Sequence, residues 1–353
     1  MTETIWGNVT KILSTKSFEM DVTHQKPENK ESYSNVEIIE FTETNIQSIA
    51  IDEENRTVEQ IERGLKDKFI MCEISGRNEQ NQLVCKVSHS GAGGYWMDIA
   101  WKPKLVTNSS KNDDYFHDLS MGYVPALIIP NIINNEECQR ITSRILSANQ
   151  TSSGLGITKK IGESLNSYLH NKIGYFKNAK LSNQILKKLF VKNDPRNIMT
   201  DEISRLFRKR VEFAKEKSML YSTGVIRLHL PGDSIHIHRD NANFEASDFA
   251  VSKLSTQMSA VLHLQPAKSG GELKVFRKLW QKNDERLRNP YFGYSEDVVN
   301  GIQHTSIKSN PGDLVMINPR LYHMVDRVKG KLERISFGFF FGQDANSNLY
   351  AWS

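Results

Sequence analysis

From Tyr221 to the C-terminus the apolar residues come in short runs, and two of these, Met258 to Leu264 and Leu314 to Ile317, are bounded by glycine and proline. Apolar runs this short between breakers bury strands rather than helices. A further run, Arg334 to Phe341, carries four phenylalanines and reads as the last core strand. The stretch ahead of Tyr221 is different. After an apolar strand, Val124 to Ile129, and Pro130, a helix opens at Asn134 or Asn135. It carries Glu136 and Glu137 in its first turn and repeats apolar residues at Cys138, Ile141, Ile145 and Leu146. A second helix is expected over Asp201 to Lys217. Helices followed by many strands predict a mostly β domain, a jelly roll or sandwich backed by helices.

Residues 1–105 have another pattern. Asn8 to Val22 alternates, Val36 to Phe41 is a second run, and Phe69 to Ile74 and Leu83 to Val87 flank the turn residues Gly76, Arg77 and Asn78. Val58 to Leu65 has helical spacing. Several strands with one helix predict a small OB-like β-barrel. The polar stretch 106–118 reads as a linker, which leaves 119–353 as the second domain.

The bulk composition excludes little. With 46 basic against 41 acidic residues the net charge is only +5, which is weak support for an anionic partner, and nucleic acid is not the partner expected. The three cysteines, Cys72, Cys85 and Cys138, form no paired motif and read as reduced thiols of a cytoplasmic protein. No apolar run is long enough to span a membrane, and the N-terminus lacks the pattern of a signal peptide.

The chemistry is concentrated in His236-Ile237-His238-Arg239-Asp240. In an extended chain residues two apart share a face, so His238 and Asp240 can meet one ion. His323, in Asn318-Pro319-Arg320-Leu321-Tyr322-His323, supplies a third ligand. Two histidines and one carboxylate on one face of a metal suit non-haem Fe(II), because they leave positions for a bidentate co-substrate and a gas. Arg334 offers a planar fork for a carboxylate, and Ser336 faces the same way.

These motifs, with Gly270-Gly271-Glu272-Leu273 and Pro311-Gly312-Asp313-Leu314-Val315 between them, resemble the 2-oxoglutarate/Fe(II)-dependent dioxygenase superfamily, in the branch of prolyl 4-hydroxylases and small-molecule hydroxylases. The resemblance implies a double-stranded β-helix with His238, Asp240 and His323 on iron, and Arg334 with Ser336 on the distal carboxylate of 2-oxoglutarate. It also implies consumption of dioxygen, release of succinate and carbon dioxide, and hydroxylation of a small molecule such as an amino acid or biosynthetic intermediate. Ascorbate could serve as an auxiliary reductant. Halogenating relatives carry a small residue where Asp240 stands, so Asp240 favours hydroxylation, desaturation or ring closure.

Other residues leave alternatives open. His236 shares a face with His238 and could be the ligand in its place, but no carboxylate stands two residues after it, so it reads as a pocket residue that orients a ligand. Arg227 could point into the pocket towards an anionic substrate group, and a free acid would suit it; equally, it could be a partly exposed strand residue. His263 reads as a core histidine, and His229 and His304 have no partner pattern. The long insertion from Phe276 to Gln303 reads as a lid. The N-terminal region is similar to the staphylococcal-nuclease-like OB fold. Its first turn, Leu13-Ser14-Thr15-Lys16-Ser17, lacks the acidic residue such a nuclease needs, so no nuclease activity is expected. A homodimer contact is one role open to it. A protein side-chain hydroxylase is the close alternative. The rival outside enzymology is a binding module whose barrel holds nucleic acid.

Overall fold

The computed structural model describes residues 2–44, 46, 49, 52–89, 101–106, 115–151 and 160–353. The chain divides into two compact units, Met1–Lys102 with Met121–Val124, and Pro103–Ser120 with Pro125–Ser353. Of the expected linker, residues 107–114 lie outside the described residues, and Tyr115 to Asp118 belong to a helix.

In the first unit five strands close into a barrel in the order β1-β2-β3-β5-β4: β1 (Glu3–Ile12), β2 (Ser17–Gln25), β3 (Val36–Thr44), β4 (Phe69–Arg77) and β5 (Leu83–His89). The alternating stretch from Asn8 is a hairpin that turns where the Leu13 and Ser14 N–H groups donate to the Ser17 carbonyl. Helix α1 (Val58–Leu65) begins at a reciprocal cap between Thr57 and Gln60. It buries Ile61 and Leu65 with Ile5, Phe18, Ile39, Phe41 and Cys72 in the barrel core. Arg77 lies 3.3 Å from Glu37, an ion pair of the barrel wall. All three cysteines are buried free thiols.

The second unit is built on two antiparallel-rich sheets. The larger runs β6 (Lys104–Leu105), β7 (Leu127–Ile129), β17 (Leu314–Ile317), β14 (Met258–Gln265), β19 (Arg334–Gln343), β12 (Val225–His229) and β8 (Lys160–Ile161). Strand β20 (Leu349–Trp352) extends it from β19 and pairs in parallel with β9 (Val211–Phe213). The smaller sheet is β13 (Ile235–His238), β18 (Leu321–Val325), β15 (Leu273–Leu279) and β16 (His304–Ile307). A short hairpin, β10 (Lys215–Glu216) and β11 (Met219–Leu220), stands apart.

The helices are α2 (Tyr115–Ser120), α3 (Asn135–Thr151), α4 (Lys172–Leu189), α5 (Pro195–Phe207) and the single turn α6 (Ala242–Glu245). No described helix is long and apolar enough to cross a membrane. Alternation along β19 explains the layering. Phe337 meets Phe190 just beyond α4, Phe341 meets Phe207 of α5, and Phe339 meets Phe213 of β9. Arg334 and Ser336, at the intervening positions, take the other face. Each fully buried phenylalanine contributes roughly 1.5–3 kcal/mol.

One helical expectation needs correction. The helix placed over Asp201 to Lys217 runs from Pro195 to Phe207: Asp194 caps it, Pro195 fits its first turn, and Arg208 ends it in the left-handed region. The residues beyond are drawn into β9 and β10 by pairing with distant partners. Helix α4 has no clear signal in the sequence. Ile173 is 86% exposed, and Leu181 and Ile185 also face outward, so its apolar stripe is blurred. The insertion begins at Trp280, because β15 continues to Leu279.

Candidate metal centre

His238 ends β13 and His323 lies in β18, and the antiparallel register sets them opposite each other. Asp240 follows the strand, and its N–H donates to the Pro319 carbonyl at 2.8 Å. That bond ties the segment after β13 to the turn before β18. Possible ligand atoms of the three side chains all lie within 4.8 Å of one another. Asp240 Oδ2 is 3.8 Å from His238 Nε2 and 3.5 Å from His323 Nε2.

Backbone carbonyls set the imidazoles. His238 Nδ1 lies 2.8 Å from the His236 carbonyl, and His323 Nδ1 lies 2.9 Å from the Leu321 carbonyl. A carbonyl only accepts, so each Nδ1 carries the proton and each Nε2 turns a lone pair to the common centre. Burial and the neighbouring His323 press the His238 pKa down to about 4, so it is neutral at pH 7. For Asp240 burial acts upward, but the facing His323 and His238 outweigh it and hold the carboxyl near 2. Two imidazole nitrogens and one carboxylate are the donor set a divalent metal needs, so the residues present fit such an ion.

The larger sheet turns a polar patch to the same centre. Arg227 pairs with Ser336, and His229 with Arg334, across β12 and β19; His263 of β14 pairs with Ser336 from the other side. Arg334 is 5% exposed, and its Nη1 donates to Ser336 Oγ at 3.3 Å and lies 3.2 Å from His229 Nδ1. Burial and the repulsion of Arg227 bring its pKa down to about 10, still charged at pH 7. His263 is held well below the usual range by burial and by Arg334, which keeps it neutral. Gly271 adjoins this patch: with φ +71, a Cβ there would come 3.1 Å from Arg334 Cδ. The Pro311-Gly312-Asp313 motif is a turn. Gly312 has φ +87, and a Cβ would fall 1.9 Å from the Ile133 carbonyl.

Arg227 is partly buried and within electrostatic range of Asp240. His236 is exposed and meets His238 through its backbone carbonyl rather than its imidazole. Four neighbours were not foreseen. His229 touches Arg334, and Asn166 Nδ2 donates to Asp240 Oδ1 at 3.4 Å. Lys160 stands opposite Arg227 in β8, and the Phe292 ring lies 5.0 Å from that of His238. His229 shares a strand face with Arg227, a signal available in the sequence; the other three depend on pairings or packing between distant segments.

A family model described as the carrier-protein-independent halogenase WelO5 matches residues 95–353. The leucinostatins biosynthesis cluster protein S of Purpureocillium lilacinum is 28% identical over 138 residues, 37% of this chain; the match spans 56% of that relative's length. Among solved structures, an N-substituted L-amino acid dioxygenase from Burkholderia ambifaria AMMD is similar at 11% identity, over 67% of this chain and 89% of that one, with a TM-score of 0.49. HygX from Streptomyces hygroscopicus, with nickel and 2-oxoglutarate bound, is similar at 13% identity over 68% and 95%, with a TM-score of 0.41.

Proposed function

The chain belongs to the family described as the carrier-protein-independent halogenase WelO5, within the 2-oxoglutarate/Fe(II)-dependent oxygenases, and on that premise we propose that it hydroxylates an unactivated C–H bond of a small molecule. The observation that carries this reading is the convergence of His238, Asp240 and His323 within 4.8 Å, beside the buried Arg334 guanidinium. On this reading residues 119–353 form a double-stranded β-helix, residues 106–118 a linker and residues 1–105 an OB-like domain.

His238, Asp240 and His323 would hold Fe(II), which with 2-oxoglutarate and dioxygen supplies the oxidation of a C–H bond, with succinate and carbon dioxide as co-products. Arg334 binds the distal carboxylate of 2-oxoglutarate through paired charge-assisted hydrogen bonds. Ser336 and His229 hold the guanidinium in place. The His236 and Leu321 carbonyls fix which nitrogen of each imidazole is free. Arg227 faces the substrate.

Asp240 decides between hydroxylation and halogenation. Halogenating relatives carry a small residue at this ligand position, which leaves room for chloride. Here a carboxylate takes the place, and its charge disfavours a second anion. The purified chain with Fe(II), 2-oxoglutarate and ascorbate should release succinate well above the level of the His238→Ala variant. Equal release would overturn the enzymatic reading. With substrate and excess chloride, the product should gain one oxygen and no halogen.

A further inference from the structure

Three cationic side chains stand on one face of the larger sheet. Arg227 is opposite Ser336 on one side and Lys160 on the other, and His229 is opposite Arg334 one step along. Residues directly opposite in a ladder share a face, and diagonal neighbours lie within reach of long side chains. The two guanidiniums are therefore close, and they repel: Arg227 lowers the pKa of Arg334, and burial lowers that of Arg227.

Their local surroundings differ. Arg334 is held by His229 and Ser336. Among the described residues no hydrogen bond or ion pair reaches the Arg227 side chain, and the opposite charge that acts on it is that of Asp240. Lys160 has a weak contact with Ser167 Oγ at 3.4 Å and lies near Glu163. The Glu163 carboxylate accepts from Tyr168 Oη at 2.7 Å and from Ser182 Oγ at 2.9 Å.

Charge balance then constrains the substrate. Lys160 and Glu163 offset each other. A divalent ion with two guanidiniums outweighs Asp240 and a 2-oxoglutarate dianion by one positive charge. A charge left unpaired in a largely desolvated pocket is costly, so a closed, loaded site calls for one more anion.

We propose, resting on the reading of an Fe(II) and 2-oxoglutarate centre, that Arg227 and Lys160 form a second anion site in the same pocket, and that the substrate is a carboxylic acid whose carboxylate they hold. The apolar body of the acid would lie towards His238 and the ring of Phe292.

The test uses the full chain with Fe(II) and saturating 2-oxoglutarate, without dioxygen. Calorimetry compares a panel of arylalkanoic and alkanoic acids, 3-phenylpropionate among them, each with its primary amide. At least one acid should bind about ten-fold or more tighter than its amide, the scale of one charge-assisted contact. Arg227→Met should bring that pair to parity, Arg227→Lys should keep part of the preference, and Lys160→Met should reduce it. Binding of the amide reports an intact pocket in each variant. The proposal is overturned if no acid is preferred, or if Arg227→Met keeps the preference. It is also overturned if Arg227→Met loses 2-oxoglutarate affinity as strongly as Arg334→Met, since Arg227 would then serve the co-substrate. Absence of heat with 2-oxoglutarate itself in the wild type would remove the underlying reading as well, an outcome distinct from the other three.

Discussion

His238 and His323 are direct partners in the antiparallel ladder of β13 and β18, and their ring centroids are 4.2 Å apart. The close approach is imposed by backbone pairing. It places two Nε2 lone pairs and the Asp240 carboxylate where they repel unless a cation lies between them. The centre should therefore be a local weak point without metal and a clamp between the two strands with it.

Metal loading should thus raise thermal stability. A ligand at one hundred times its Kd stabilises the native state by about 2.7 kcal/mol. For a unit of this size that corresponds to roughly 5–10 °C in Tm. Scanning fluorimetry with Mn(II) or Fe(II) under anaerobic conditions should show this shift in the wild type and almost none in His238→Ala or His323→Ala. An equal shift in the alanine variants would place the bound metal elsewhere.

Arg334 should control co-substrate affinity. Removing one partner of a buried charge pair costs about 2–5 kcal/mol, so Arg334→Met should raise the KM for 2-oxoglutarate by about thirty-fold or more. Arg334→Lys should recover little, because an ammonium cannot reproduce the planar fork. An unchanged KM in both variants would assign the carboxylate site to another residue.

How far the site could be foreseen follows from the range of each interaction. His238 and Asp240 are two residues apart in the sequence, and a two-residue period needs no knowledge of the rest of the chain. The strands were legible for the same reason, since Met258 to Leu264 and Leu314 to Ile317 carry their own boundaries. His229 and Arg334 are 105 residues apart and meet only through the register of β12 with β19, which no local pattern records. Lys160 reaches Arg227 through a two-residue strand, too short to leave a periodic signal. Helix α4 was hidden because exposed Ile173 and Leu181 spread its apolar residues around the axis. The end of α5 was misplaced because β9 forms only by pairing with β20.

Glu245 should give the metal-free protein a specific pH dependence. Burial and the charge of Asp240 push its carboxyl up to about 7, and Arg239 offsets this only in part. The folded state therefore keeps a proton that the unfolded chain releases near the ordinary glutamate value. This group's contribution to stability is complete below about pH 4.5 and is lost as pH rises through 7. Over that window Glu245→Gln should gain on the wild type by on the order of 2–3 kcal/mol, with most of the gain reached by pH 8. Urea unfolding of chelated protein at pH 5 and pH 8 measures it. A difference that does not grow with pH would mean that Glu245 is ionised in the folded state.

Phe292 lies in the insertion between β15 and β16. Deleting the whole segment would not isolate a lid. Tyr294 N–H donates to the Ile237 carbonyl at 2.8 Å, and Tyr322 donates to Asp284 at 3.0 Å. Tyr294, Val298 and Val299 share a buried cluster with Ile237, Phe276 and Tyr322, so removal would open the core beside the metal strand. Phe292 can be changed alone: it is 50% exposed, yet its ring lies 5.0 Å from that of His238. Truncating a half-exposed ring costs little stability, because little of its area leaves water on folding. What it removes is cover over the metal histidine on the substrate side. Phe292→Ala should keep its Tm within about 2 °C of the wild type. It should also lower the ratio of hydroxylated product to succinate several-fold, since an uncovered centre turns over 2-oxoglutarate without delivering oxidation to the substrate. Product and succinate measured in the same reaction give that ratio directly. A wild-type ratio would leave the ring no part in covering the site.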